Sequence, residues 1–200
     1  MAELQDADIR VHSEHLYPDA APTLDARVSF HAALHKATQD GTVGRHGAPW
    51  ELNLRDQLRW LQVMHADLGL SMAEPLDALR CLYLARFRTP QDRQAVAELF
   101  ATHFGDAGHA LRMPHALVSP TDALLGHVHL SRAGPVASAS TQLLLPSQLA
   151  CLEGMAVSVR LGLLTIITGH AGSGKSSVVR AMAAGAGRHL HEGPVRSGSG

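Results

Sequence analysis

Residues Gly169 to Ser176 read G-H-A-G-S-G-K-S, a full match to the pattern G-x-x-x-x-G-K-[ST]. Few octapeptides constrain a fold so tightly, because this one works only where a strand ends, a glycine loop wraps an anion and a helix begins. The flanks suit that context. Leu163, Leu164, Thr165, Ile166, Ile167 and Thr168 form a short apolar, β-branched run with the character of a buried parallel strand, and Ser177 to Ala184 reads as the first helix. Gly169, Gly172 and Gly174 can take backbone angles closed to other residues and turn main-chain N–H groups towards phosphates, and the positive end of the following helix adds to that field. Lys175 supplies a point charge for the β- and γ-phosphates, and Ser176 a hydroxyl for Mg²⁺. The candidate nucleotide site is therefore Gly169, His170, Ala171, Gly172, Ser173, Gly174, Lys175, Ser176 and Ser177, with ATP and Mg²⁺ as its ligands. Lys36 is the other lysine of the chain, so its basic side chains are nearly all arginine.

A hydrolytic site of this kind also needs an acidic residue at the end of a neighbouring strand, to hold Mg²⁺ and polarise water. No apolar run in this chain ends in Asp-Glu, on either side of the loop. The expectation is a nucleotide site opened by these residues and not finished by them, in a piece of a larger ATPase. Taken alone, the chain should not hydrolyse ATP.

The net charge is −1 with histidine neutral, so there is no electrostatic footprint for nucleic acid or an anionic membrane. The apolar stretches are too short to span a bilayer, and the run from Met1 to Asp6 has no signal-peptide character. Cys81 and Cys151 stand apart without C-x-x-C spacing, which suits a soluble protein of a reducing, intracellular compartment and two small core side chains. His127 with His129, and His189 with His191, pair two imidazoles at strand spacing, but no third ligand lies near and no metal centre is expected from them.

From about Thr23 to Phe104 the periodicity is helical. Leu24, Val28 and Leu34 mark one helix that stops at Asp40-Gly41. Asn53 reads as an N-cap with Asp56 closing a capping box, followed by the stripe Leu54, Leu58, Leu61, His65, Leu68 and a stop at Gly69. Pro75 opens a helix with Leu76, Leu79, Leu82 and Tyr83 inward. Thr89 and Pro90 open another, carrying Val96, Leu99, Phe100 and His103 and ending at Gly105. About four helices result, with Trp50 and Trp60 as packing residues. Residues 105–141 are rich in Gly, Pro, Ser and His and read as a connector carrying one edge strand, His127 to Leu130. Pro146 opens a further helix through Leu149, Leu152, Met155, Ala156 and Val159, and Gly162 separates it from the strand before the loop. The fold class is thus α/β with a preceding all-α domain: helical residues 1–104, a connector over 105–141, and the start of a P-loop core over 142–200. The shift in composition predicts only sparse contact between the two ends, without one core joining Leu58, Leu99 and Ile166.

A helical domain ahead of a P-loop core reverses the usual order within one module, and two modules in tandem explain it most simply. Three segments resemble the midasin family of ring ATPases, dynein relatives with several AAA+ modules in one chain: Pro49 to Asp56 with Leu58-Arg59-Trp60, Phe87 to Arg93, and the phosphate loop with Ser177 to Arg180. Leu52 stands where an aromatic is usual, and Ser176 where Thr is commoner. The resemblance implies that residues 1–104 are the lid of one AAA+ module and 142–200 the start of the next. It also implies that Arg55 is the lid arginine reaching the nucleotide of its own upstream core; the alternative from the residues alone is a surface arginine paired with Asp56 or Glu51. By the same resemblance the intact protein would be an ATP-driven remodeller of pre-60S ribosomal particles and their assembly factors, in nucleolus and nucleoplasm, with neighbouring AAA+ modules as ring partners. A non-hydrolytic lid or interaction fragment, a dynein-like or MoxR-like ATPase, and a small-molecule kinase are the other readings, the last disfavoured by the late position of the loop.

Overall fold

The computed structural model describes residues 6–18, 21–47, 50–65, 74–106, 112, 114–134 and 145–193. Helix α1 (Asp6–Leu16) lies ahead of the expected helical region. Its pattern is thin: Ile9 joins Leu24 and Val28 in a small cluster, while Val11 and Leu16 are exposed. Helix α2 (Ala21–Gln39) stops before Asp40-Gly41, as expected. The capping box of α3 (Leu54–Met64) is formed in both directions, with Asn53 Oδ1 accepting from the Arg55 amide at 3.0 Å and Asp56 Oδ2 from the Asn53 amide at 3.1 Å. Its buried side chains are Gln57, Trp60, Leu61 and Val63. The leucine stripe is therefore rotated from its expected place: Leu54 and Leu58 are half-buried and His65 is exposed, because the bulk of Trp60 takes the centre of the face. Leu68 and Gly69 lie outside the described residues.

Helix α4 (Pro75–Ala78) widens into a π turn (Leu79–Tyr83) and tightens into a 3₁₀ turn (Leu84–Arg86), which brings Leu79, Tyr83 and Leu84 all inward. Helix α5 (Pro90–Phe104) starts at a Thr89 hydroxyl that accepts from the Asp92 amide at 3.0 Å. These helices close on aromatic rings. Trp60 is fully buried with its ring centroid 5.6 Å from both Tyr83 and Phe104, and Phe30 meets Tyr83 and Phe100 edge-on at 5.6 Å. Arg27 is buried here with no carboxylate partner among the described residues, donating to the Gln57 carbonyl at 3.1 Å and the Ser13 hydroxyl at 2.7 Å. Burial lowers its pKa to about 10, against a smaller opposing effect of Tyr83.

The connector holds more order than one strand. β1 (Ala116–Val118), β2 (Asp122–Leu125) and β3 (Val128–Ser131) form an antiparallel meander in the order β1-β2-β3. Strands this short, set among Pro, Ser and Gly, carry too few alternating residues to be read from periodicity. β3 is an edge strand as expected, but His127 belongs to the turn before it. Gly126, at φ +66°, opens that two-residue turn, where glycine removes the cost of a positive angle.

Helices α6 (Pro146–Arg160) and α7 (Lys175–Gly185) follow. The strand expected over Leu163 to Thr168 is not formed. The segment is extended but unpaired, and Leu164 and Ile166 are 84% and 79% exposed. Apolar character alone cannot make a strand; the Leu163 amide donates back to Ser158 O at the end of α6 at 2.8 Å, and from Leu164 to Thr168 no neighbouring strand takes up the backbone N–H and C=O groups among the described residues. One apolar cluster nevertheless runs from Phe30, Trp60 and Phe100 through Ala123 and Leu125 to Leu152, Met155, Val178 and Met182. Leu99 and Ile167 pack against it while Ile166 does not, so the bundle and the loop segment share a core where sparse contact was expected. The sheet also grips the far end of α7, since Ala133 N donates to Ala186 O and Arg132 Nη1 to Gly185 O, both at 3.1 Å.

Candidate functional site

The loop Gly169 to Gly174 ends directly on the first turn of α7. Gly174 is left-handed at φ +82° and ψ +18°, and Lys175 is the first helical residue. A side chain at position 174 would be strained by that angle and would push aside the Gln148 amide of α6, so the backbone angle is what calls for glycine. The first helical bond runs from Val178 N to Gly174 O at 3.0 Å. The amides of Lys175, Ser176 and Ser177 precede it, and helix geometry gives them no intrahelical acceptor. Lys175 Nζ folds back over the loop, donating to Gly169 O at 3.0 Å and His170 O at 2.7 Å, while Ser176 stays exposed beside it. Forward-facing amides, a helix N-terminus, an ammonium at the mouth and a free hydroxyl fit a magnesium-bound polyphosphate: Gly172 to Ser177 would cradle the phosphates, Lys175 would pair with them and Ser176 would face the metal. All nine residues expected from the motif lie in this one loop and helix turn.

Arg55 stands elsewhere, exposed on the first turn of α3, at a cleft of about 1090 Å³ between the bundle and α6. Of its expected surface partners, the Asp56 carboxylate is committed to another arginine, Arg86 Nη1 at 3.2 Å, which also donates from Nη2 to the backbone carbonyl of Glu51 at 3.0 Å. Arg59 lines the same cleft one turn along α3, and Arg93 is spent on the Phe87 carbonyl at 2.9 Å. Trp60 is core. Trp50 is half-buried, stacked 4.6 Å from Phe87 and donating from Nε1 to the Gly44 carbonyl at 2.6 Å. Both roles are packing roles.

The two cysteines are free and half-buried, and Cys81 is held well above its ordinary pKa by burial and then by Glu153, which makes it a poor nucleophile. His129 pairs with Asp122 at 3.0 Å, and His189 and His191 are exposed outside any helix or strand. Among the described residues no group of three or more His, Cys, Asp or Glu side chains is placed to hold a metal ion. Nor is any helix among them long and apolar enough to cross a membrane.

Sequence reasoning passed over one polar cluster. Glu153 of α6 is 4% exposed and accepts from Arg80 Nη2 of the π turn at 2.8 Å and from the His127 amide at 3.2 Å. His127 Nδ1 lies 2.7 Å from Oε1, the oxygen that also accepts from the His127 amide, while Arg80 takes Oε2; since a carboxylate only accepts, Nδ1 carries the proton. No motif flags this residue. Its signal is weaker, an acid set among Leu152, Met155 and Ala156 on an otherwise apolar helix.

Residues 8–106 match the family description of the midasin AAA lid domain. Across 98% of the chain it is 26% identical to midasin of Dictyostelium discoideum, and across 75% it is 32% identical to midasin of Giardia intestinalis. The chain belongs to the midasin family. It spans 4% of the length of each of those relatives. The matched residues cover α1 to α5, so the helical bundle is an AAA lid, and the three-stranded antiparallel sheet follows it. Midasin-family membership makes this a segment of an AAA+ protein.

Proposed function

We propose that residues 142–200 open the P-loop core of a midasin AAA+ module that binds ATP with Mg²⁺ at Gly169 to Ser177, and that residues 1–104 are the lid of the module before it, joined by the connector over 105–141. The observation that carries this is the join at Gly174: a left-handed glycine delivers a glycine loop onto a helix whose first residue is Lys175. The Ser176 side would hold Mg²⁺, which would supply positive charge against the phosphates. The chain's own groups bind and orient: the α7 amides and Lys175 hold negative charge, and the Ser176 hydroxyl faces the metal. Arg55 is assigned the nucleotide of the upstream module, because it is exposed at the lid cleft while Arg86 takes Asp56. By resemblance to midasin, the intact protein uses ATP to remodel pre-60S ribosomal particles in the nucleus.

The test is Mg·ATP binding by the full chain and its Lys175→Ala variant. Removing a hydrogen-bonded charge should weaken binding by about 1.5–3 kcal/mol, a loss of roughly 10- to 150-fold. Equal affinity in the two proteins would sink the assignment. Phosphate release by the chain alone, abolished in Lys175→Ala, would instead show that no acidic residue from elsewhere is needed.

A further inference from the structure

Helix α6 meets both halves of the molecule, through a buried ion pair at Glu153 and a close side-chain approach at Gln148, and the two contacts lie close together on it. At Glu153 it is held by Arg80 from the lid and by His127 from the β2–β3 turn, with Gly126 leaving room for the carboxylate: a Cβ there would collide with it. Asp77 Oδ1, 3.6 Å from His127 Nε2, extends the set back onto α4. At Gln148, five residues earlier and about 7.5 Å along the axis, the side chain is fixed by Oε1 accepting from the Leu145 amide at 2.8 Å, and its Nε2 end lies against Gly174 at the base of the phosphate loop. We propose that α6 is a strut through which the lid sets the position of the phosphate loop, gripped by Arg80 at Glu153 and holding Gly174 with Gln148. This rests on the reading of Gly169 to Ser177 as a nucleotide site and names Gln148, Glu153 and Arg80 as its positioning residues.

Apolar contact between α6, the lid and α7 would by itself allow sliding, because burial is proportional to area and indifferent to direction. A buried carboxylate fixed by donors from two other elements is directional. It pins α6 in one register against the lid, at the cost of desolvating the charge. Because α6 is a continuous helix between the two contacts, a displacement at Glu153 is carried to Gln148 with little loss. Gln148 then meets Gly174, whose carbonyl accepts the first hydrogen bond of α7 from Val178. The far end of α7 is independently tied to the sheet by Arg132 and Ala133, so α7 cannot simply follow α6 as a free body.

The experiment is amide hydrogen exchange by NMR on the full chain, read at the Val178 amide, which reports the position of Gly174, and at the Phe100 amide in the lid core as an internal reference. Gln148→Ala should speed exchange at Val178 by about fivefold and leave Phe100 unchanged, as local opening does. Glu153→Gln should do the same to a lesser degree, about threefold, and adding it to Gln148→Ala should produce no further change, because the two act in series. Unchanged Val178 exchange in Gln148→Ala overturns the proposal, as do effects that multiply in the double variant. Equal acceleration at Val178 and Phe100 in Glu153→Gln means a purely structural role for Glu153 and also overturns it. If Glu153→Gln does not fold, Gln148→Ala alone decides. Mg·ATP titration of the same samples separates the two readings: normal binding lost in Lys175→Ala, with unmoved exchange, removes the strut and keeps the nucleotide site, whereas moved exchange without binding does the reverse.

Discussion

The lid bundle and the phosphate-loop segment are built on opposite terms. The bundle closes on itself: Phe30, Trp60, Tyr83 and Phe100 are 0–1% exposed and touch one another, and its caps at Asn53 and Thr89 are satisfied within a turn. The loop segment has one good helix face, Val178 and Met182, and an extended run whose Leu164 and Ile166 face solvent. Stability of the first is local and aromatic; the second borrows its support from α6 and from the sheet. The shared cluster shows that this support is real, yet it reaches only as far as Ile167.

That contrast can be broken most directly at Trp60. Trp60→Ala should lower stability towards denaturant by about 3–5 kcal/mol, since a fully buried ring is removed from a packed aromatic cluster. A loss below about 1 kcal/mol would mean that stability is not concentrated in the bundle. Next in size is the α3 cap: Asn53→Ala should cost about 1 kcal/mol by the same measurement, because Asn53 Oδ1 serves the Arg55 amide. An acid titration sharpens the picture within the bundle. Asp92 is held below its ordinary pKa by the Thr89 hydroxyl at 2.6 Å and then by the Gly44 amide at 2.8 Å. A depressed carboxylate stabilises the fold above its unfolded value of about 3.9 and loses that contribution as the pH falls through the lower folded value. Stability measured between pH 5 and acid should therefore fall less in Asp92→Asn than in the parent, whereas parallel curves would remove Asp92 from the account. The smallest effect belongs to the loop segment. Leu164→Ser combined with Ile166→Ser should change stability by no more than about 0.5 kcal/mol, because neither side chain is buried. A cost of several times that would show that the run is packed in solution.

Legibility in the sequence followed the range of the forces involved. Caps and helix stops depend on residues within four or five positions of each other, and Asn53 with Asp56 and Thr89 with Pro90 stand where local chemistry puts them, as does the start of α7 at Gly174 and Lys175. What escaped was set by partners distant in sequence. Residues 163–168 have the apolar character of a strand but no neighbour among the described residues to pair with. β1 and β2 are too short to show a period. Arg27 is buried by residues of three helices, and Glu153 by a lysine-free network reaching from Asp77 to His127. The inward face of α3 follows the same rule: the leucine period is regular, but the volume of Trp60 decides which side turns inward.

The extended run before the loop also governs how the molecule behaves in the tube. Leu164 and Ile166 present apolar side chains beside backbone donors and acceptors with no partner among the described residues, which is the template on which strands of separate molecules pair. The chain should accordingly lose solubility as concentration rises while its bundle remains folded, and the double serine variant that barely alters stability should be the form that stays in solution.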